Sequence, residues 1–403
     1  MSIQKFYYTV TSSRAFLIQM VFTLNAIYYV TQANLNPLQL VLIGTIMEVS
    51  VLLCEMPTGL YADHFGRKRS LALGTLVIGL AHILEGSTPE FWAIAIASAM
   101  WGIGWTFISG AEQAWIADEL GGEDLEQTFL RGSKYGSFAR FTAILASVAI
   151  AVVWSVQTAI LFAGIMLVIL AAWSYIKLPE TKFVKVTREK GVSGFMHMMT
   201  TIKAGASQIR GNTVLVGIAM VTLFWGLASE GFDRLYGAHF IVDYELSESE
   251  SLYWFGTFYA VAFLLNIVVL HFVEKNVKGR YAEVLLIMNA LLVGTMIIFA
   301  WTGHFWLAVA MYWVTSALRN VNYPLMSIVM NERLESTGRA TTLSMFGQLD
   351  AFGQIAGGPI VGVLALYTSI SGGITASAFL ILPVLYFLWR MRGKMGSTKS
   401  FGG

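Results

Sequence analysis

Gly59-Leu60-Tyr61-Ala62-Asp63-His64-Phe65-Gly66-Arg67-Lys68-Arg69 joins two apolar runs, 38–61 and 71–86. Both runs read as membrane-spanning helices, so this polar turn sits where a chain leaves the bilayer and re-enters it. Its two glycines permit a tight turn and close approach of backbone. Asp63 offers a negative charge suited to the positive end of a neighbouring helix. Three consecutive basic residues, Arg67, Lys68 and Arg69, fix this turn at a membrane surface.

Outward from this turn the same kind of run recurs along the chain. Spans are predicted at 15–33, 38–61, 71–86, 91–116, 136–154 and 158–177, and again at 213–240, 252–273, 282–302, 305–330, 340–366 and 372–391. The expected fold is therefore an all-α integral membrane protein of twelve transmembrane helices. It divides into a six-helix bundle over 1–177, a basic linker over 178–212, a second six-helix bundle over 213–395 and a tail over 396–403. Within the linker, Phe195, Met198, Met199 and Ile202 fall at helical spacing, which predicts a short helix lying on the membrane surface.

Composition agrees with this reading. The 403 residues are 56% hydrophobic and 12% charged, against about 25% charged in soluble domains. Such a chain cannot cover a water-facing surface, and lipid must cover most of it. The single cysteine, Cys54, excludes an intramolecular disulfide. The turns at 33–37, 86–90, 154–157, 242–251, 302–305 and 367–373 contain no Lys or Arg, whereas the opposite set holds the basic residues. The positive-inside rule then places both termini and the linker in the cytoplasm, in a multi-pass protein of the cell (inner or plasma) membrane.

The turn after the second span resembles the G-x-x-x-D-x-x-G-R-[RK] signature of the major facilitator superfamily, with Gly59, Asp63, Gly66, Arg67 and Lys68 at every defining position. The resemblance implies two pseudo-symmetric bundles and transport by alternating access. It also implies a conformational gate in which Asp63 faces the start of the eleventh span near 339–342 and Arg67 faces Asp118. A faint second-half echo, Glu274-Lys275-Asn276-Val277-Lys278-Gly279-Arg280, has altered spacing. The Gly-Pro run that many drug exporters of this superfamily carry in the fifth span is missing here. A Gly-Pro pair appears instead at Gly358-Pro359, in a run from Gly353 to Gly362 that predicts a seam of close helix packing.

Charges inside spans are costly and mark functional sites by default. Glu48, Arg319 and Asp350 fall near mid-span, Glu55 and Arg140 in the inner half, and Glu230, Asp233 and Arg234 in the outer half of the seventh. Glu230 and Arg234 are four apart, which predicts a local ion pair. Arg319 and Asp350 lie at similar depth on sequential spans and are expected to pair. A carboxylate in a dry cavity favours its neutral form and releases a proton when wetted, which makes Glu48, Glu230 and Asp350 the candidates for proton coupling. By the resemblance, the cavity is lined from the first, fourth, seventh and tenth spans. The candidates for cargo contact are Asn25, Tyr28, Trp105, Trp225, Arg319, Asn320, Asn322 and Tyr323, with Glu48 from the second span.

The sequence contains no P-loop, no His-Glu metal motif, no C-x-x-C and no nucleophile elbow. Neither enzyme chemistry, a cofactor, a metal nor nucleic-acid binding is expected, and a gradient, most simply of protons, must supply the energy. The chain resembles proton-coupled multidrug antiporters, which implies efflux of amphipathic small molecules by a monomer in the bilayer. Lipid or lysolipid transport and proton-coupled nutrient import are the alternatives.

Overall fold

The computed structural model describes residues 2–121, 124–184, 194–277, 280–334 and 339–395. Among them every element is helical. The helices are α1 (Ile3–Ile27), α2 (Pro37–Phe65), α3 (Arg67–Ser87), α4 (Phe91–Leu120), α5 (Leu125–Val153), α6 (Val156–Lys177), α7 (Gly194–Ile209), α8 (Thr213–Ala238), α9 (Glu248–Asn276), α10 (Tyr281–Trp301), α11 (Phe305–Arg333), α12 (Arg339–Tyr367), α13 (Ile370–Leu380) and α14 (Leu382–Met395). Single π-helical turns, Tyr28–Gln32 and His239–Asp243, extend α1 and α8.

Eleven helical segments among the described residues are long and apolar enough to cross a membrane, with α13 and α14 counted together. The remaining long helix, α11, has 29 residues but is interrupted by Arg319, Asn320, Asn322 and Asn331. That polar load keeps it below the others in apolarity. It is also what makes the helix useful, as the cavity below shows. α7 forms in the predicted linker, although Phe195, Met198 and Ile202 lie outside the described side chains. The tail 396–403, linker residues 185–193 and Lys278-Gly279 of the second-half echo also lie outside the described residues.

Two helices begin well before their predicted spans. α1 starts at Ile3 and α5 at Leu125, against predicted starts at 15 and 136. Their first turns carry Lys5, Arg14, Glu126, Arg131 and Lys134, polar residues that end an apolar run without ending a helix. The last predicted span, 372–391, is broken at Ile381. Pro383 stands just inside the restart, where its missing N–H leaves no bond unmade.

The chain forms two compact units. Unit 1 comprises Met1–Leu35, Ile46–Gly194 and Glu245–Ala260, and unit 2 comprises Asn36–Thr45, Phe195–Tyr244 and Val261–Gly403. In unit 1, α3 packs on α4 and α6, and α1 packs on α5. In unit 2, α8 is central and packs most closely on α12. That seam is built by the glycine run read from the sequence. A Cβ at Gly353 or Gly357 would overlap backbone of α8 at Leu223 and Leu227. At Gly358 and Gly362 the nearest obstacles are instead the side chains of Thr45 and Leu38 of α2. Backbone that cannot yield makes glycine a strict requirement at Gly353 and Gly357.

Gly357→Val should therefore lower stability by roughly 1–3 kcal/mol, the usual cost of overpacking, read as a fall in the thermal midpoint of the purified protein. Gly59→Ala, where nothing lies within 4 Å of the new Cβ, should leave that midpoint unchanged.

Candidate functional site

In unit 2, α8, α11 and α12 enclose a cavity of about 590 Å³. Each helix lends it one stripe at i, i+3/i+4 spacing. Thr222, Trp225, Ser229 and Asp233 come from α8, Asn322, Met326 and Met330 from α11, and Phe346, Asp350 and Gln354 from α12. Tyr323, Ser327 and Asn331 widen the α11 face. The walls are thus aromatic and thioether surfaces with polar groups set among them, the usual make-up of a small-molecule site.

The electrostatics of this cavity are settled by pairing. Arg319 does not pair with Asp350, as depth alone predicted. Its Nη2 donates to Asp233 Oδ2 at 2.5 Å. The reason lies in the face that α8 presents to α11. The Arg319 guanidinium lies 5.4 Å from the Trp225 ring and 5.1 Å from the Phe232 ring, a cation–π cradle that ends at Asp233. Trp225 is itself fixed by its Nε1, which donates to Asn289 Oδ1 at 2.8 Å. Glu230 is buried and takes a bond from Arg234 Nε at 3.1 Å, the pair expected from their spacing. Asp350 Oδ2 accepts from Gln354 Nε2 at 2.8 Å, and Asp350 takes part in none of the ion pairs among the described residues. Asn322 is 2% exposed, and its Nδ2, like Thr222 Oγ1, is buried without a hydrogen-bond partner among the described residues.

Of the residues singled out from sequence, Trp225, Asn322, Tyr323 and Asp350 meet in this cavity. Arg319 stands behind it through Asp233, Glu230 stands behind it in its own pair, and Asn320 is exposed away from it. Asn25, Tyr28, Glu48 and Trp105 belong to unit 1. Tyr28 is fully buried and donates to the Glu85 carbonyl at 2.6 Å, and Trp105 stacks on Trp101 at 5.6 Å. Thr222, Ser229, Ser327 and Gln354 were not selected from sequence as site residues, and Asp233 was singled out only as a charge within a span. Their spacing along α8, α11 and α12 was the available signal.

The basic turn is built in unit 1. Gly66 has φ +106° and separates α2 from α3, a backbone state that requires glycine. Arg67 Nη1 donates to the Ala114 carbonyl at 2.6 Å and to the Asp118 carboxylate, the partner that the resemblance implied. Glu180 accepts from the Lys68 N–H at 2.9 Å. Glu119 accepts from the N–H groups of Thr181 and Lys182 at 2.6 and 3.0 Å. The chain leaving α6 is thus tied to α3 and α4. Asp63 and Gly59 line a cleft of about 230 Å³ with Thr106, Ser109 and Gly110. A further pair, buried Arg14 with part-exposed Glu112, joins α1 to α4. Arg14 escaped the sequence reading because it falls one residue before the predicted first span.

Comparison with known proteins places this geometry. An uncharacterized MFS-type transporter of Bacillus subtilis (strain 168), YxaM, is 21% identical over 367 residues, covering 90% of this chain and 89% of its own length. The nucleoside transporter NupG superposes with a TM-score of 0.72 at 12% identity, over 99% of this chain and 100% of its own. A bacterial homolog to the human lysosomal transporter Spinster, inward-facing and occupied, gives 0.75 at 12% identity, over 97% and 96%. A POT family transporter in complex with 5-aminolevulinic acid gives 0.74 at 12% identity, over 98% and 96%. These structures share the fold. Residues 8–278 of the 403 match the family model of the Major Facilitator Superfamily, and the chain is a member of that superfamily.

Proposed function

We propose that this transporter is a proton-coupled exporter of amphipathic small organic molecules, with the unit 2 cavity as its cargo site and Asp350 as the group that exchanges a proton for cargo. The observation that carries the reading is one wall composition. Trp225, Phe346, Met326 and Met330 share a cavity of about 590 Å³ with a carboxylate that no basic side chain neutralises among the described residues. Asp233 is excluded from the proton role because Arg319 holds it, and Glu230 because Arg234 does. A proton or a cationic cargo group satisfies Asp350 equally, and one excludes the other. The two bundles over 1–177 and 213–395 alternate, both termini face the cytoplasm, and Arg67 with Asp118 clamps one of the two states.

A second reading has its own support. The buried Asn322 Nδ2 and Thr222 Oγ1 lack hydrogen-bond partners among the described residues, and polar groups placed to be satisfied by cargo suit uptake of one polar nutrient. Nucleoside and POT transporters share the fold, which is compatible with this reading without favouring it.

Inside-out vesicles with an acid interior and a pH-sensitive dye separate the two. Lipophilic cations should dissipate the gradient through the protein, and Asp350→Asn should reduce that flux roughly 5- to 150-fold, the range of a coupling energy of 1–3 kcal/mol. Silence toward every cation and antibiotic, with gradient-driven uptake of a polar solute in right-side-out vesicles, would replace export by import. Arg67→Gln and Asp118→Asn should each slow flux about fivefold, equivalent to about 1 kcal/mol for a half-exposed charged pair. The double variant should be no slower than either single one, and cargo binding at equilibrium should survive in all three.

A further inference from the structure

On the other unit, α1, α5 and α6 enclose a larger groove of about 940 Å³ that the transport reading does not use. Both α5 and α6 lean on α1 more than on each other, which leaves α1 visible between them. The α1 wall changes character along its length. Lys5, Tyr8, Thr9, Ser12 and Ser13 come first, and Phe16 and Leu17 follow. Lys5 to Phe16 spans about 16 Å at 1.5 Å per residue, close to the hydrocarbon depth of one leaflet, about 15 Å.

The other two walls repeat this gradient. On α6, Phe162, Met166 and Ile169 lead to Trp173, and the next residue on that face, one turn on, is Lys177. On α5, Thr142 and Phe138 lead back to Tyr135, and one turn before it is Arg131. Each helix therefore brings one basic residue to the same end of the groove. Lys5, Arg131 and Lys177 are exposed, and none is ion-paired among the described residues. No acidic side chain lines the groove among the described residues. Ser12 Oγ is buried there without a hydrogen-bond partner among the described residues.

We infer that this groove binds an anionic glycerophospholipid of the surrounding leaflet. Its phosphate sits among Lys5, Arg131 and Lys177, and an acyl chain lies along Phe16, Phe138 and Phe162. The charge selects the headgroup, and the apolar end, one leaflet deep, accommodates the chain. The positive-inside rule accounts for basic residues at this end of the helices, but not for a groove between the three walls or for the hydroxyls beneath the cations.

The test is quenching of Trp173 in the full-length protein reconstituted in phosphatidylcholine vesicles. Either brominated phosphatidylglycerol or brominated phosphatidylcholine is titrated in, and the Trp173 signal is taken as the difference from a Trp173→Phe variant. The anionic lipid should quench at a several-fold lower mole fraction than the zwitterionic one. Each of Lys5→Gln, Arg131→Gln and Lys177→Gln should weaken that preference, by at most about fivefold, whereas Lys203→Gln on α7 should leave it unchanged. Equal quenching by the two lipids would overturn the proposal, as would no quenching at all. A preference lost as readily in Lys203→Gln would also overturn it, because it would then reflect bulk charge. The comparison of the two lipids on the unaltered protein decides the matter even if a variant folds poorly.

Discussion

A carboxylate or guanidinium carried into a bilayer is costly until something neutralises it, and the arrangement of this protein follows from how each such charge is met. Arg14 meets Glu112, Arg67 meets Asp118, Arg234 meets Glu230, and Arg319 meets Asp233. At the ends of spans, His82 meets Glu85 at 2.8 Å and His239 meets Asp243 at 2.6 Å. Most of these pairs join different helices or fix a helix end, so neutralisation and helix placement are one event. Asp350 is in none of these pairs; an amide is its hydrogen-bond partner and a cavity lies in front of it.

The cavity depends on this pairing. Arg319, clasped by two rings and held by Asp233, sets the distance between α8 and α11 without presenting its charge to the cavity lining. The glycine seam draws α12 against α8 and carries Asp350 and Gln354 to the same space. Close packing on one side and a bulky cation cradle on the other open a wedge between the three helices. Its walls are the Trp, Phe and Met surfaces that remain. The turn at Gly66 serves a different purpose. Glu180 and Glu119 bind the chain that follows α6 to the ends of α3 and α4, so that the motif, α4 and the start of the linker form one rigid corner.

Much of this was legible in the residues. The twelve spans, the turn at Gly66, the Glu230–Arg234 pair and the seam at Gly353–Gly362 follow from apolar run length, backbone restriction and helical spacing, all of which are local. What was not legible is which face a helix turns toward its neighbours. Depth alone favours Asp350 over Asp233 as the partner of Arg319, whereas the face of α8 that carries Trp225 and Phe232 leads the guanidinium to Asp233. Arg14 was missed for a related reason. A hydropathy run ends where polar residues begin, whereas α1 continues through them because its backbone bonds do not depend on side-chain polarity. Tyr28 illustrates a further limit. An aromatic near a helix end serves a cavity, an interface or a core equally well in sequence, and here its hydroxyl is consumed by the Glu85 carbonyl.

The central claim is that Asp350 holds a proton that cargo displaces. Its most direct test is proton release from purified protein in weakly buffered detergent solution when tetraphenylphosphonium is added. About half a proton per bound cation is expected at the midpoint of the Asp350 titration, rising toward one at lower pH, and none in Asp350→Asn. Binding of the cation without proton release, or release that persists in Asp350→Asn, would contradict it.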